Sequence, residues 1–141
     1  MISRKYEIAE AQGIYFFASV VGLSELKALE AIEFSKTLGV LLDNAFDEAA
    51  KSDAKKVTFD AYTDARDNIV ITITNSTEGD VDINNIFNKD FSTRGEGRGQ
   101  GLWEVSKILN KHDEYDLTFE CKSRELTAKL KVSGDLYIRK E

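Results

Sequence analysis

The sequence has 141 residues, which is enough for one hydrophobic core and too few for two domains of ordinary size. Its net charge of −6 disfavours nucleic acid as a partner, because proteins that bind duplexes normally carry a basic face. The single cysteine excludes an internal disulfide and favours a reducing, cytoplasmic setting, and no apolar run approaches the roughly 20 residues that cross a bilayer.

The predicted elements alternate between helices and strands along the chain. In order, they are a polar helix at 3–12 ended by Gly13, a strand at 14–20, a turn or short helix at 24–29, a long helix at 31–51, strands at 55–63 and 68–75, a helix at 101–111, and a hairpin of strands at 115–121 and 125–132. Apolar residues recur at helical spacing in the long helix and alternate with polar ones in the strands. The expected architecture is an α+β, two-layer sandwich with helices on one face of a mixed, mostly antiparallel sheet.

Residues 76–99 form a polar stretch without a clear period. A segment of this length without regular structure is unusual inside a compact domain, and such segments are generally lids or binding loops. Because this one ends in a glycine-rich run, we predict a lid over a ligand.

In the long helix at 31–51, one face is predicted to carry Val40, Asn44, Asp47 and Glu48, and we call it the polar face after its three polar residues. The opposite, apolar face should meet the sheet, and it comprises Leu38, Leu42, Ala45 and Ala49. The amide oxygen of Asn44 is a hard, neutral ligand of the kind that suits Mg²⁺. The alternative is an ordinary surface asparagine, a residue type that is mostly exposed in proteins.

Asn75 stands at the end of the strand predicted at 68–75. Its side chain can both donate and accept hydrogen bonds, which suits the edge of a purine. A plain asparagine turn is the alternative at this position.

A glycine run leads into the helix predicted at 101–111. Gly97, Gly99 and Gly101 let backbone N–H groups approach phosphate oxygens closely, and the start of a helix adds positive partial charge. The run lacks the Lys-Ser/Thr end of a P-loop and the layout of the dinucleotide fingerprint. A flexible linker is the alternative.

Taken together, residues 41–45, 75–79 and 97–102 resemble the N box and the two glycine boxes of the GHKL ATPase and kinase superfamily, whose domain is the Bergerat ATP-binding fold. The run 86–97 is similar to the F box and lid of sensor histidine kinases. The amino-acid sequences of residues 75–76 and 92–99 look most like the corresponding motifs of the peptide-pheromone quorum-sensing kinases. The resemblance covers roughly residues 14–132.

The resemblance implies ATP and Mg²⁺ as ligands. It implies that Asn44 holds the metal, that Asn44 and Arg94 are catalytic, and that Asn75 meets the adenine amine. The implied ATP-binding residues are Asn44, Asp47, Asn75, Phe87, Lys89, Arg94, Gly97, Arg98, Gly99, Gly101 and Leu102. Ile73 could contribute an apolar wall.

Three positions depart from the superfamily pattern. Asp is usual at the position of Asn75, and many histidine kinases carry a basic residue at that of Asp47. Hydrolytic members such as gyrase place a Glu four residues before the N-box Asn to activate water. Val40 occupies that position here, and valine cannot take a proton, which favours phosphoryl transfer over hydrolysis.

The implied protein is a two-component sensor histidine kinase, with residues 1–13 the remnant of a linker helix and 14–141 its ATP-binding catalytic domain. Such a domain passes the γ-phosphate of ATP to a histidine on a separate dimerisation domain, and a response regulator is an indirect partner. His112 is expected to cap a helix end rather than to accept phosphate. The full-length bacterial protein is expected to be a membrane-anchored homodimer with this domain in the cytoplasm.

Three alternatives remain for the function. They are a freestanding anti-sigma-type serine kinase, a machine ATPase and a non-catalytic ATP-binding interaction module. Val40 disfavours the ATPase, while transfer to a supplied histidine would separate the kinase from the interaction module.

Overall fold

A computed structural model describes residues 2–20, 31–66, 68–79, 100–111 and 115–132. The elements are α1 (Ile2–Ala11), β1 (Tyr15–Val20), α2 (Ala31–Lys51), β2 (Lys56–Thr63), β3 (Ile69–Ser76), α3 (Gln100–Lys111), β4 (Tyr115–Lys122) and β5 (Glu125–Val132). The helices and strands predicted within the described residues are all present. The turn or short helix predicted at 24–29, residues 80–99 of the predicted lid and His112 lie outside the described residues.

The five strands form one sheet in the order β1-β2-β3-β5-β4. β1 runs parallel to β2, and the other neighbouring pairs are antiparallel. Burial alternates along β2, as expected for a sheet with one covered and one open face. Val57, Phe59 and Ala61 are buried, while Lys56 and Asp60 are exposed. The predicted α+β sandwich with a mixed, mostly antiparallel sheet is therefore confirmed.

Helix α2 packs against β2 and β3 in the middle of the sheet. Leu42 and Phe46 are almost completely buried there, and the ring of Phe46 meets that of Phe16 edge-on at 5.1 Å. Burying one such side chain stabilises a fold by about 1.5–3 kcal/mol. The predicted apolar face is buried as expected, and the predicted polar face is half-buried. Among the described helices, none is both long and apolar enough to span a bilayer.

Strand β3 runs one residue further than predicted, because Ser76 belongs to the ladder rather than to a loop. Ser76 pairs with Glu125 of β5, and the N–H of Thr77 donates to the carbonyl of Arg124 at 2.9 Å. These bonds satisfy the backbone, so the polar residues 75–77 can be buried at this end of the strand.

Helix α1 ends at a left-handed glycine and turns directly into β1. Gly13 has a φ of 71°, and the N–H of Ile14 donates to the carbonyl of Ala9 at 2.9 Å, as in a Schellman motif. Ala9 is buried in the same core as the sheet. The Nζ of Lys5 lies 2.6 Å from Oδ1 of Asp43, so an ion pair joins α1 to α2.

We expect Asp43→Asn to lower the free energy of unfolding by about 1–3 kcal/mol, because a charge-assisted hydrogen bond is lost. The side chain of Lys5 is only 11% exposed, so its ammonium would face a neutral amide with little access to water. Urea unfolding followed by circular dichroism measures the change.

Lys36→Gln is the matched control for this prediction. It removes an ion pair between α2 and α3 whose side chains are 54% and 44% exposed. Exposed pairs contribute about 0–1 kcal/mol. A loss in Asp43→Asn no larger than that in the control would show that α1 does not depend on its ion pair.

Candidate functional site

Asn44 lies in α2 on the half-buried polar face. Its Nδ2 donates to the carbonyl of Val40, one turn earlier, at 2.9 Å. A carbonyl can only accept, so this bond requires the amide nitrogen to face the helix backbone. Oδ1 is left as an acceptor, and no hydrogen bond reaches it from the described residues. The acceptor left over is therefore a neutral oxygen, of the kind that Mg²⁺ binds.

Asn75 lies in β3 and is 3% exposed. It stands opposite Val57 of β2 and Leu126 of β5, both buried, so its side chain lies on the helix-facing side of the sheet. Its Nδ2 donates to the carbonyl of Ser76 at 3.0 Å. As in Asn44, the amide nitrogen is engaged, and Oδ1 accepts nothing from the part of the chain that the structure describes.

Helix α2 brings the elements of the site together, because it contacts both β3 and α3. Lys36 of α2 and Glu104 of α3 form an ion pair at 3.0 Å, close to the start of α3. Gly101 and Leu102 lie in the first turn of α3, where backbone N–H groups have no partner within the helix. The two oriented amides and the helix start therefore belong to α2 and to two elements that each contact it.

The remaining predicted site residues fall into two groups. Asp47 is half-buried in α2, three residues after Asn44, and Ile73 is buried in β3, two residues before Asn75 and on the same face. The others lie outside the described residues, namely Phe87, Lys89, Arg94, Gly97, Arg98 and Gly99. Their proposed contacts with a ligand stay predictions.

Buried hydroxyl residues lie at the end of β3 next to Asn75, and the sequence patterns did not single them out. Ser52 and Ser76 are both buried and contact each other, and Thr77 is buried beside them. A cleft of about 300 Å³ opens at this end of β3, lined in part by these three residues and Arg124. In the sequence, Ser52 is a hydroxyl residue directly after a long helix. Such residues are common at helix ends, so its position alone does not indicate a functional role.

The sequence profile of the GHKL domain family matches residues 29–133. The chain therefore belongs to the GHKL domain family. No protein in a curated collection of sequences matches it closely enough to count as a relative.

Several solved histidine kinase structures share the fold. The nucleotide-free catalytic domain of histidine kinase ThkA has a TM-score of 0.67 and 18% identity, over 92% of this chain and 84% of that one. The mycobacterial sensor histidine kinase MprB has a TM-score of 0.68 and 18% identity, over 94% and 93%. Full-length ShkA in complex with AMPPNP has a TM-score of 0.69 and 16% identity, over 92% of this chain and 28% of that one. The α+β fold is thus that of histidine kinase catalytic domains.

We expect Thr77→Val to raise the free energy of unfolding by about 1–3 kcal/mol. Oγ1 of Thr77 is buried and has no hydrogen-bond partner among the described residues. Replacing it with a methyl group of similar volume removes the cost of burying an unpaired hydroxyl. Chemical denaturation of the two proteins provides the measurement.

Thr74→Val serves as the control, because Oγ1 of Thr74 lies 3.2 Å from Oγ1 of Thr127 and can hydrogen-bond to it. That variant should lower the free energy of unfolding by up to about 1 kcal/mol. A loss of stability in Thr77→Val as well would show that the Thr77 hydroxyl has a stabilising partner.

Proposed function

We propose that this domain binds ATP with Mg²⁺ and positions the γ-phosphate for transfer to a histidine on a separate dimerisation domain. The observation that carries the proposal is the common orientation of Asn44 and Asn75. A backbone carbonyl binds each amide nitrogen, and each Oδ1 is left as an acceptor. Membership of the GHKL domain family and the AMPPNP complex of ShkA support ATP as the nucleotide.

Asn75 is proposed to recognise the base. Its Oδ1 can accept a hydrogen bond from the exocyclic amine of adenine, while guanine presents a carbonyl at the same place. The apolar neighbours Val57 and Leu126 place no competing polar side chain beside this oxygen. Phe87 and Ile73 are proposed to complete the apolar walls.

Asn44 and the start of α3 are proposed to hold the phosphate end. Asn44 would supply an oxygen ligand to Mg²⁺, which supplies positive charge at the phosphates when bound. Backbone N–H groups at Gly101 and Leu102 would donate to phosphate oxygens. The further phosphate-end residues of the proposal are Asp47, Lys89, Arg94, Gly97, Arg98 and Gly99, with Arg94 catalytic. The contribution of the domain is positioning and electrostatic stabilisation, the larger part of phosphoryl-transfer catalysis.

Val40 supports transfer rather than hydrolysis. Its carbonyl orients Asn44, and its side chain cannot take a proton from water. The acceptor histidine is proposed to lie on a dimerisation domain reached through a linker ending at residues 1–13, with 14–141 as the catalytic domain. We place the domain in a membrane-anchored, homodimeric kinase of the peptide-pheromone quorum-sensing type, which signals to a response regulator.

The test of the proposed function is phosphotransfer by the purified domain. Alone, it should bind ATP, release phosphate barely above background and not label itself. Addition of a histidine-bearing dimerisation domain with γ-labelled ATP should produce an acid-labile phosphohistidine. Rapid phosphate release without acceptor would identify an ATPase instead, and ATP binding without transfer to any supplied hairpin would favour the interaction module. An acid-stable label on a protein serine would favour the anti-sigma-type kinase.

We expect Asn44→Ala to weaken binding of ATP in the presence of Mg²⁺ by about tenfold, equivalent to ~1.4 kcal/mol, and to abolish transfer. The oxygen ligand is lost, while the fold should stay intact because the position is only half-buried and alanine favours a helix. Calorimetric titration with Mg²⁺ and with EDTA separates metal-dependent from metal-independent affinity.

Asn110→Ala is the control, because Asn110 is an exposed asparagine near the end of α3. It should bind Mg-ATP as the native domain does. Equal ATP affinity with Mg²⁺ and with EDTA, in both the native and the Asn44→Ala domains, would remove the metal assignment.

A further inference from the structure

Two buried hydroxyl groups meet where α2 and β3 end. Ser52, the first residue after α2, is 2% exposed, and Ser76, the last residue of β3, is 7% exposed. Their Oγ atoms lie 2.6 Å apart, which is the distance of a strong hydrogen bond. This contact joins residues 24 positions apart in the chain.

The direction of the hydrogen bonds around this pair follows from counting protons. Oγ of Ser52 lies 2.7 Å from the carbonyl of Ala49, and a carbonyl only accepts, so Ser52 donates its single proton there. Ser76 must then donate to Ser52. The contact of 3.4 Å between Oγ of Ser76 and the carbonyl of Lys56 is the longer alternative for the same proton.

Backbone N–H groups complete the arrangement. The N–H of Lys55 donates to Oγ of Ser52, and the N–H of Lys56 donates to Oγ of Ser76, each at 3.0 Å. The hydroxyl chain therefore runs from the start of β2 through Ser76 and Ser52 to the end of α2. Each of its members is satisfied, as buried polar groups require.

These hydroxyl hydrogen bonds involve Ser76, whose backbone carbonyl orients the amide of Asn75. The carbonyl of Ser76 accepts from Nδ2 of Asn75 at 3.0 Å, and the cross-strand neighbours Val57 and Leu126 have no side-chain polar atoms. Among the described residues, the Ser76 carbonyl is thus the single group that selects one orientation of this amide. A displacement of Ser76 would let the amide rotate and present its NH₂ group instead.

We propose that Ser76, anchored by Ser52, is a positioning residue that determines base specificity by holding the Asn75 amide with its oxygen toward the base. The inference rests on the proposed ATP-binding function. An amide can match adenine through its oxygen or guanine through its nitrogen, whereas the two oxygens of a carboxylate both accept. Where asparagine stands in place of aspartate, selectivity for adenine therefore depends on what fixes the amide.

The experiment measures the dissociation constants of ATP and GTP, each with Mg²⁺, by calorimetry on the native domain and on Ser76→Ala and Ser52→Ala. The native domain should prefer ATP. Both variants should reduce the ratio of GTP to ATP dissociation constants by roughly fivefold or more, the factor set by about one neutral hydrogen bond. Thermal unfolding of each variant confirms that the domain is folded, and the two variants provide independent tests of the same chain.

Two further variants separate base selection from general stability. Ser76→Thr keeps a hydroxyl and should restore the native ratio. In an Asn75→Asp background, Ser76→Ala should leave the ratio unchanged, because either carboxylate oxygen accepts. Asn75→Leu should abolish the preference for ATP.

The results distinguish this inference from the proposed function. A native domain that binds no ATP would overturn both. A native domain that prefers ATP, with the same preference in folded Ser76→Ala and Ser52→Ala, would overturn the inference alone. Equal weakening of ATP and GTP in these variants would likewise show that the hydroxyl pair only supports the fold.

Discussion

The packing of α2 on the centre of the sheet is the constraint on which the rest of the structure depends. Leu42 and Phe46 are almost completely buried against the strands, and Phe46 also meets Phe16 of β1. Successive residues of a helix are rotated by about 100° about its axis. Burying one face of α2 therefore fixes the direction in which every other side chain of the helix points. Asn44 is thereby held in a half-buried position next to that buried face.

Asn44 and Asn75 both donate from Nδ2 to a backbone carbonyl, but the carbonyl is provided in different ways. In α2, the carbonyl one turn back holds the amide of Asn44, which any regular helix provides. In β3, the carbonyl of the next residue holds Asn75, and a strand by itself does not fix such a contact. In our proposal, the additional hydrogen bonds through Ser76 and Ser52 keep that carbonyl in place. The proposed recognition of a nucleotide would thus use neutral side chains in a domain whose net charge is −6.

The folded unit extends beyond the segment that defines the family. The GHKL profile begins at residue 29, yet β1 is part of the sheet and Ala9 of α1 is part of the core. The Lys5–Asp43 ion pair attaches α1 to α2 immediately beside Asn44. Helix α1 is thus joined both to β1, which follows it in the chain, and to the helix that carries the proposed metal ligand.

The sequence by itself determined the helices and strands, and it singled out two asparagines as candidate site residues. The helix predicted at 31–51 coincides with α2, because its periodicity is a local property of the chain. The resemblance of three short motifs was enough to predict the family, which the profile match over 29–133 confirms. The end of β3 was predicted one residue early, because serine and threonine are common in turns and their burial depends on partners elsewhere.

Only the tertiary structure decided how the elements and polar groups are paired. The strand order, with β1 parallel to β2, and the contacts Lys5–Asp43 and Ser52–Ser76 join residues that are distant in sequence. The sequence also left the orientation of each asparagine amide undetermined, because its NH₂ donor and its oxygen acceptor are of nearly equal size. Which of the two faces a ligand depends on the carbonyl that the folded chain places beside it.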